Sequence, residues 1–311
     1  MSEALWSSDF RFEGRRVTVK KTGAEVAIDR ETLKGFARWL AWYAPVRLKA
    51  LAASLDPAAP KVWFAPDRPR PWYLVWAAAA WSGVRIARTP AEADASFYFD
   101  DVTHGRPPTP QAGRRLNFEC LDVSKSRVAQ VFETVFGYPL ALDPRAETGL
   151  VVEKSESNGV HDGRIVCCPR AALPSRVYQR LIDNIEDGQA VDLRTPFVGG
   201  RPVLTFIKRR PVGRRFDNFN SSVTLALPEE VFSTEEIEAL SAFARAMKLD
   251  WGGLDILRDA ADGRIYVVDV NKTDMPPLAL PWIDKLRATA RLAAAFRDLV
   301  VGGADMDREA A

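Results

Sequence analysis

Alternating apolar and polar positions over residues 9–28 predict short strands at the start of the chain. From residue 30 to 55 the apolar residues recur three or four positions apart, which is the spacing of a helix. Because proline removes a backbone hydrogen bond from a helix interior, Pro45 predicts two helices here rather than one. Residues 1–56 are therefore expected to form a first unit of strands and helices.

The proline-rich segment 56–60 predicts a boundary, and the next sixty residues have a different pattern. Apolar runs at 62–64, 84–86 and 95–99 surround an apolar helix predicted at 72–82. Strand, helix, strand and strand in this order are typical of a small α/β domain with a partly parallel sheet. We expect this domain to span residues 57–118.

The remainder of the chain alternates strands and helices, and we expect two units, residues 119–190 and 191–311. A Gly199-Gly200 turn predicts one hairpin, and two apolar strands near 255 and 267 predict a second. The predicted helices in this part of the chain are 125–137, 234–247 and 282–300. The fold class is therefore α/β, with a small N-terminal domain before two further subdomains.

Charge and composition exclude several classes of protein. The 43 basic and 41 acidic residues nearly balance, whereas duplex-binding proteins show a basic face, so no nucleic-acid partner is expected. Three cysteines cannot form a disulfide framework. The first residues do not match a signal peptide, and the apolar run 72–81 is about half a membrane span. We expect a cytoplasmic protein without a membrane partner, and a homodimer is one open possibility.

The second hairpin carries the chemistry that is easiest to interpret. A strand period of two places Ile265, Val267, Asp269 and Asn271 on one face, and Asp255 lies in the facing strand. Neighbouring strands lie about 4.8 Å apart, so one cation could join the carboxylates. Hard oxygen ligands of this kind suit Mg²⁺ together with substrate phosphates. The alternative is a pair of edge carboxylates, one of which caps a turn.

The chain contains no Gly-Lys dipeptide, and therefore no P-loop of the Walker type. Lysines and a different loop would have to hold phosphates, and Lys125, Lys154 and Lys208 are the candidates. Lys154 precedes the small, polar loop 155–163, whose backbone N–H groups could face phosphate oxygens. Within that loop, His161 is either a general base or a solvated side chain.

Together these segments resemble the ATP-grasp superfamily over about residues 122–277, and in particular carboxylate–amine ligases such as glutathione synthetase and ribosomal-protein glutamate ligases. The resemblance rests on an ordered set of motifs rather than on any single one. The matching segments are Asp192-Leu-Arg194 before Gly199-Gly200, Lys208, Arg215-Phe-Asp-Asn218, Gly253–Leu257 and Val267–Asn271.

The resemblance implies an ATP-grasp fold in which two subdomains sandwich ATP, with Mg²⁺ as the metal. It implies metal ligands at Asp255, Asp269 and Asn271. The nucleotide-binding positions that it implies are Lys125, Lys154, Gln179, Arg180, Leu181, Ile182, Asp192 and Asn218. The catalytic positions would be Lys208 near the transferred phosphate, with Arg194 and Arg215, and also Arg209, as ligands for a substrate carboxylate.

The implied reaction joins a carboxylate to an amine through an acyl phosphate, with small-molecule or peptide substrates. Asp269 stands where the family usually has glutamate, and the loop 155–163 is poorer in glycine than is usual. Three alternatives remain open: a kinase on the same fold, a non-catalytic nucleotide-binding protein, and an α/β protein that does not bind ATP.

Overall fold

The computed structural model describes residues 9–20, 25–109, 113–160, 162–216 and 220–302. The fold combines helices with antiparallel and parallel sheets, so the predicted mixed α/β class is confirmed. The helices are α1 (Arg30–Ser54), α2 (Leu74–Ser82), α3 (Lys125–Phe136), α4 (Thr234–Ala246) and α5 (Trp282–Val301).

The strands fall into four sheets. The first is β1 (Phe10–Glu13), β2 (Arg16–Val19) and β3 (Glu25–Ala27), followed by β4 (Lys61–Pro66), β5 (Arg85–Ile86), β6 (Ala95–Phe99) and β7 (Arg114–Leu116) in the second. The third sheet contains β8 (Gly149–Ser155), β9 (Arg164–Cys168) and β10 (Arg176–Arg180). The fourth contains β11 (Ile185–Glu186), β12 (Gln189–Val198), β13 (Arg201–Pro202), β14 (Thr205–Pro211), β15 (Ser222–Ala226), β16 (Trp251–Arg258) and β17 (Ile265–Asn271).

α1 is one continuous helix with Pro45 inside it, so the prediction of two helices was wrong. Proline leaves the carbonyl four residues earlier, that of Ala41, without its N–H partner. Because Ala41 is exposed, solvent can reach this carbonyl, and the helix continues. At the start of the helix the Asp29 carboxylate accepts a hydrogen bond from Thr32 N, which satisfies one of the free N–H groups.

A parallel sheet in the order β5-β4-β6-β7 forms the small α/β part of the chain. Its inner residues Val62 and Phe97 pack with α2 and with Phe296 of α5 in one core, which also contains Phe206 and Trp251 of the large sheet. The core therefore crosses the expected boundary at residue 118. A helix from the C-terminal end of the chain covers a sheet from the N-terminal part.

The large sheet has the order β15-β14-β12-β16-β17, and its strands pair antiparallel. One of its faces packs against α3 and α4 in a second core that contains Phe132, Phe243, Leu254 and Val267. The three-stranded sheet β10-β8-β9 lies across from its other face. A cleft therefore opens between a large and a small antiparallel sheet, as a fold that sandwiches a ligand requires.

Asn117 fastens the parallel sheet to the strand that carries Asp255. Its buried side chain accepts hydrogen bonds from the backbone N–H groups of Asp250 and Trp251, both at 2.9 Å, and donates to the Trp251 carbonyl at 2.7 Å. Its backbone has a φ of +60°, which asparagine tolerates better than most residues. The position of β16 is thus fixed from the end of β7.

Among the described residues, we find no helix with the length and apolar character that crossing a membrane requires.

Lys285 of α5 is a buried cation in this part of the fold. Its ammonium donates to the Leu278 carbonyl at 3.3 Å. Burial, together with the nearby charge of Arg38, lowers the pKa of Lys285 to about 8. Since the unfolded chain keeps this proton up to a pH of about 10.4, folding is penalised at neutral pH, and stability rises as the pH increases from about 8 to 10.4.

We therefore expect Lys285→Met to stabilise the protein by about 1–3 kcal/mol at pH 7, because a side chain of similar size no longer buries a charge. The advantage should shrink above pH 8 and disappear near pH 10.4. Urea unfolding at several pH values measures it. Lys248→Met, at an exposed lysine, is the control and should show no such convergence. A variant that is less stable than the wild type at pH 7 would contradict this account.

Candidate functional site

Two carboxylates face each other on the hairpin of β16 and β17. Asp255 and Asp269 are directly paired positions in the antiparallel register, and both line the cleft. The next pair is Ile256 with Val267, so Val268 is an extra residue that forms a bulge. Because of this bulge Val268 and Asp269 both line the cleft, whereas Val267 points into the core.

The expected face assignment was therefore partly wrong. Ile265 and Val267 lie in the core cluster, not on the face of Asp269, because the bulge reverses the alternation between them. Asn271 pairs with Gly253, one pleat beyond the two carboxylates and outside the cleft lining. Its side-chain oxygen accepts hydrogen bonds from the N–H and the hydroxyl of Thr273, at 3.1 and 3.3 Å.

Asp255 is held by two cations, one on the adjacent strand β12 and one on β14, the strand beyond it. Arg194 lies directly opposite Asp255 on β12, and Arg194 Nη1 is 3.4 Å from Asp255 Oδ2. Lys208 Nζ is 3.1 Å from Asp255 Oδ1. Burial opposes ionisation of Asp255, but the charges of Arg194 and Lys208 outweigh it and hold its pKa well below the usual value. Asp255 is therefore a carboxylate at neutral pH.

Arg194 also binds a second buried acid, Asp274. Arg194 Nε and Nη2 lie 2.8 and 2.5 Å from Asp274 Oδ1. Burial raises the pKa of Asp274, and the charge of Arg194 opposes that change. A Cβ atom on Gly253 would stand 2.3 Å from Asp274 Oδ2, so glycine is the residue that leaves room for this carboxylate. Asp274 was not among the predicted site residues, because nothing in the sequence distinguishes it from an ordinary turn residue.

Lys125 lies on the other side of the hairpin, at the start of α3. Its ammonium is 2.5 Å from Asp269 Oδ1 and donates a hydrogen bond to the Asn158 side chain. Asn158 in turn donates to the Val270 carbonyl at 2.7 Å, and its backbone N–H donates to the Thr103 hydroxyl at 2.9 Å. Through Asn158, the loop between β8 and β9 is docked on the hairpin. This loop was predicted, but the role of Asn158 was not.

Lys154 at the end of β8 enters the same space. Its ammonium donates to the Val268 carbonyl, the carbonyl of the bulge residue, at 3.0 Å. Burial lowers the pKa of Lys154 to about 8, with nearby Lys125 lowering it and Asp269 opposing both. A desolvated ammonium in this position gains more than an exposed one does when it meets an anion.

The end of β10 and the residues that follow it form the opposite end of the cleft, and we call residues 179–184 the hinge. Gln179, Arg180 and Ile182 line it, and Leu181 does not. The Gln179 side-chain nitrogen is buried and has no hydrogen-bond partner among the residues that the structure describes. Such a donor inside a binding cleft is a natural contact for a ligand acceptor.

Asn184 connects this segment to Asp192, and both line the cleft. Asn184 Nδ2 is 3.2 Å from Asp192 Oδ1, and Asp192 also accepts from Arg210. Burial raises the pKa of Asp192, while the charges of Lys208 and Arg210 oppose this. The nucleotide-binding positions expected in this segment end at Ile182. Asn184, two residues further on, was therefore not among the predicted site residues.

Two of the arginines expected to hold a substrate carboxylate have other partners. Arg215 donates to the Ile182 carbonyl at 2.9 Å and to the Asn184 side chain at 2.7 Å, so it braces the hinge. Arg209 is 4.0 Å from Glu186 and does not line the cleft. Strand alternation accounts for this, since Lys208 and Arg210 take the inner face of β14 and Arg209 the outer one.

The cleft has two chemically different ends. Val152, Ile182, Leu257 and Val268 form an apolar slot beside the hinge. The other end carries the carboxylates and the ammonium groups of Lys125 and Lys154. The cleft is open to solvent on one side, and its cavity volume is about 170 Å³.

The structure gathers most of the expected site residues around one space. Those that line it are Lys125, Lys154, Gln179, Arg180, Ile182, Asp192, Arg215, Asp255 and Asp269. Arg194 on β12 and Lys208 on β14 contact Asp255, whereas Leu181 and Asn271 do not line the cleft. Asn218 and His161 lie outside the described residues.

The donor set fits a magnesium ion that is shared with phosphates. Asp255 and Asp269 offer carboxylate oxygens from facing positions, whereas the Asn271 side-chain oxygen accepts from Thr273 N and lies outside the cleft lining. In the described part of the chain no group of three or more His, Cys, Asp or Glu side chains forms a complete cage. Mg²⁺ is usually held by one or two carboxylates together with substrate phosphates, so two carboxylates are sufficient.

No family model matches the chain, and no curated protein matches it. Among solved structures, the chain is similar to macrocyclase MdnC bound with precursor peptide MdnA from Microcystis aeruginosa, at 13% identity and a TM-score of 0.49, with 78% of this chain and 99% of that chain covered. It is also similar to a RimK domain protein ATP-grasp from Sphaerobacter thermophilus, at 16% identity, a TM-score of 0.48 and coverages of 78% and 100%.

A third similar structure is D-alanine–D-alanine ligase from Bacillus anthracis complexed with ATP, at 13% identity and a TM-score of 0.46, with coverages of 78% and 98%. All three TM-scores are below 0.5, and likeness at this level identifies neither a family nor an activity. The function is therefore argued from the residues of the cleft.

Gly253→Ala tests the Arg194–Asp274 pair. The added Cβ must displace the Asp274 carboxylate, which is buried and has little room to move, so we expect a loss of about 1–3 kcal/mol in unfolding free energy. Denaturant unfolding measures this loss. Gly35→Ala is the matched control, because no atom lies within 4 Å of its added Cβ and alanine favours a helix. Equal stability of the two variants would contradict the packing described here.

Proposed function

We propose that this protein is an ATP- and Mg²⁺-dependent ligase that joins a carboxylate to an amine. The observation that carries the proposal is the pairing of Asp255 with Asp269 at one end of a cleft whose other end is an apolar slot. A nucleoside triphosphate has the same two-part chemistry, with a flat base at one end and a strongly charged phosphate chain at the other. Nucleotide binding can therefore be tested without knowing the substrates or the reaction.

The hinge end would hold the base. Val152, Ile182, Leu257 and Val268 offer apolar contact on its faces, and the buried Gln179 amide nitrogen offers a donor to its edge. Arg215 keeps the hinge backbone in place through the Ile182 carbonyl. Asp192 and Asn184 lie where the sugar would pass, and their oxygens can accept hydrogen bonds from hydroxyl groups.

The charged end would hold the phosphates. Lys125 and Lys154 present ammonium groups that in this structure contact Asp269 and the Val268 carbonyl. When phosphates enter, these ammonium groups gain anionic partners, and Asp269 becomes available as an oxygen ligand. Bound magnesium would supply Lewis-acid polarisation of the phosphate oxygens. Asp255, and Asp269 once released, would hold it there.

Arg194 and Lys208 would act on the reacting groups. Both contact Asp255, Arg194 from the adjacent strand β12 and Lys208 from β14 beyond it, and they would therefore lie beside a terminal phosphate held at this carboxylate. Positive groups fixed in this place stabilise the charge that develops during phosphoryl transfer. Transfer to a substrate carboxylate gives an acyl phosphate, and an amine then displaces the phosphate. The ligase assignment, rather than a kinase, rests on the motif resemblance described above.

The substrates belong to two classes, a small-molecule or peptide carboxylate and an amine. A cytoplasmic location and the dependence on magnesium stay predictions from the sequence. So do the roles of Leu181, Asn218 and Asn271, which the cleft geometry does not assign.

Binding of Mg-ATP should raise the melting temperature of the wild-type protein, because a ligand that binds only the folded state stabilises it. Lys154→Met and Asp269→Asn should each weaken the binding of Mg-ATP by roughly tenfold or more, since each removes one charged contact. Isothermal titration calorimetry measures the affinity. Lys248→Met and Asp143→Asn, at exposed positions outside the cleft lining, are the matched controls and should bind as the wild type does. Unchanged affinity in both cleft variants would remove the site assignment.

The reaction class requires a second measurement. ADP release in the presence of paired carboxylic acids and amines, with an amide as product, is the result expected for a ligase. A stable phosphorylated product without amide would indicate a kinase instead. Nucleotide binding without turnover across both panels would indicate a non-catalytic protein.

A further inference from the structure

The outer face of α1 exposes a row of large apolar side chains along its whole length. Leu33, Leu40, Leu48, Leu51 and Leu55 have exposed fractions between 40% and 84%. The opposite face of the same helix is packed, since Trp42 and Val46 are buried against Ala77 and Ala80 of α2. Contiguous apolar surfaces of this kind mark interaction sites in soluble proteins.

The exposed row, together with two alanines, forms an apolar seam whose residue spacing is the same from either end. The seam consists of Leu33, Ala37, Leu40, Ala44, Leu48, Leu51 and Leu55, and all seven residues are exposed. Successive members are 4, 3, 4, 4, 3 and 4 residues apart. An 11-residue repeat keeps apolar positions on a nearly straight line along a helix. The spacing is symmetric about Ala44.

We propose that two copies of this chain associate through α1, with the helices antiparallel and a two-fold axis at Ala44. A two-fold interface requires that residue i contacts residue j while j contacts i. About this axis Leu33 meets Leu55 of the second copy, Leu40 meets Leu48, and Ala37 meets Leu51. Ala37 leaves room for Leu51 of the second copy, and Ala44 meets itself, which allows the two helices to approach closely near the axis.

The charges beside the seam are compatible with this arrangement. In the antiparallel alignment Lys34 falls at the level of Ser54 and Arg47 at that of Ala41, so neither lies directly opposite a basic residue. In a parallel pair in register, Arg47 would lie at the level of its own copy, and like charges at one level are unfavourable.

The seam is presented by a fixed element and lies away from the cleft. α1 packs on α2 and α5, and the Trp42 indole N–H donates to the Thr289 hydroxyl at 3.0 Å. No residue of α1 lines the cleft. Substitutions on the seam should therefore change assembly without changing nucleotide binding.

A pair of double variants tests both the interface and its direction. Leu40→Lys with Leu48→Glu places opposite charges across both contacts of the antiparallel pair, and its dimer should stay within roughly tenfold of the wild-type Kd. Leu40→Glu with Leu48→Glu places like charges there and should weaken the dimer by roughly 100-fold or more. Sedimentation equilibrium over about 1–100 μM protein measures both, with Leu173→Glu, an exposed leucine outside α1, as the control.

Cysteine cross-linking gives an independent measurement that does not depend on weakening the dimer. In a Cys167→Ser background, which removes the exposed native thiol, Ala44→Cys should form a covalent dimer under mild oxidation. Ala37→Cys should not, because its two copies would lie 14 residues apart along the axis, or about 21 Å. Circular dichroism confirms that each variant is folded.

Several results would overturn the proposal. A wild-type protein that is monomeric at every concentration would do so, as would a dimer that survives in the variant with two glutamates. Cross-linking at position 37 would indicate a parallel pair in register, which would cross-link at position 44 as well. Monomeric protein that sediments with phosphatidylglycerol vesicles, and no longer does so after the glutamate substitutions, would assign the seam to a lipid surface instead.

Discussion

A single buried guanidinium organises the charged end of the cleft. Arg194 reaches Asp255 on the neighbouring strand and Asp274 beyond the hairpin, so it fixes two acids that would otherwise be costly to bury. Burial lowers the pKa of an arginine, but here the two carboxylates outweigh it and raise the pKa of Arg194 above its usual value. The cation therefore stays charged. Lys208 contacts the Asp255 carboxylate that Arg194 holds, and the paired position of Asp269 lies opposite that carboxylate.

The same region is also where the parts of the fold meet. Asn117 ties the parallel sheet to the start of β16, and the Thr273 hydroxyl donates to Asp101, after β6, at 2.7 Å. The backbone N–H of Leu74, the first residue of α2, donates to the Asp274 carbonyl at 2.9 Å. The end of the hairpin is thus held from three directions, and the parallel sheet supports the site without contributing to the cleft lining.

Much of the fold could be predicted from the sequence because its elements have strong local signals. The capping box at Ser233 and the helical spacing after Ser124 gave α4 and α3 within a residue or two. The prediction failed where the outcome depends on the surroundings of a residue. Pro45 remains within a helix because Ala41, whose carbonyl loses its N–H partner, is exposed to solvent. The bulge at Val268 depends on register, and no single-strand pattern reveals it.

The charges at the end of the cleft that carries Asp255 and Asp269 nearly cancel before any ligand arrives. Four carboxylates (Asp192, Asp255, Asp269 and Asp274) form ion pairs with four cations (Lys125, Lys208, Arg194 and Arg210), and a fifth cation, Lys154, contacts the Val268 carbonyl. A lone divalent cation approaching this end meets a slight excess of positive charge and must first separate existing ion pairs. A metal that arrives already chelated by a polyanion exchanges those pairs one for one. On the proposed function, order of entry is thereby built into the electrostatics, and the nucleotide carries its own metal in.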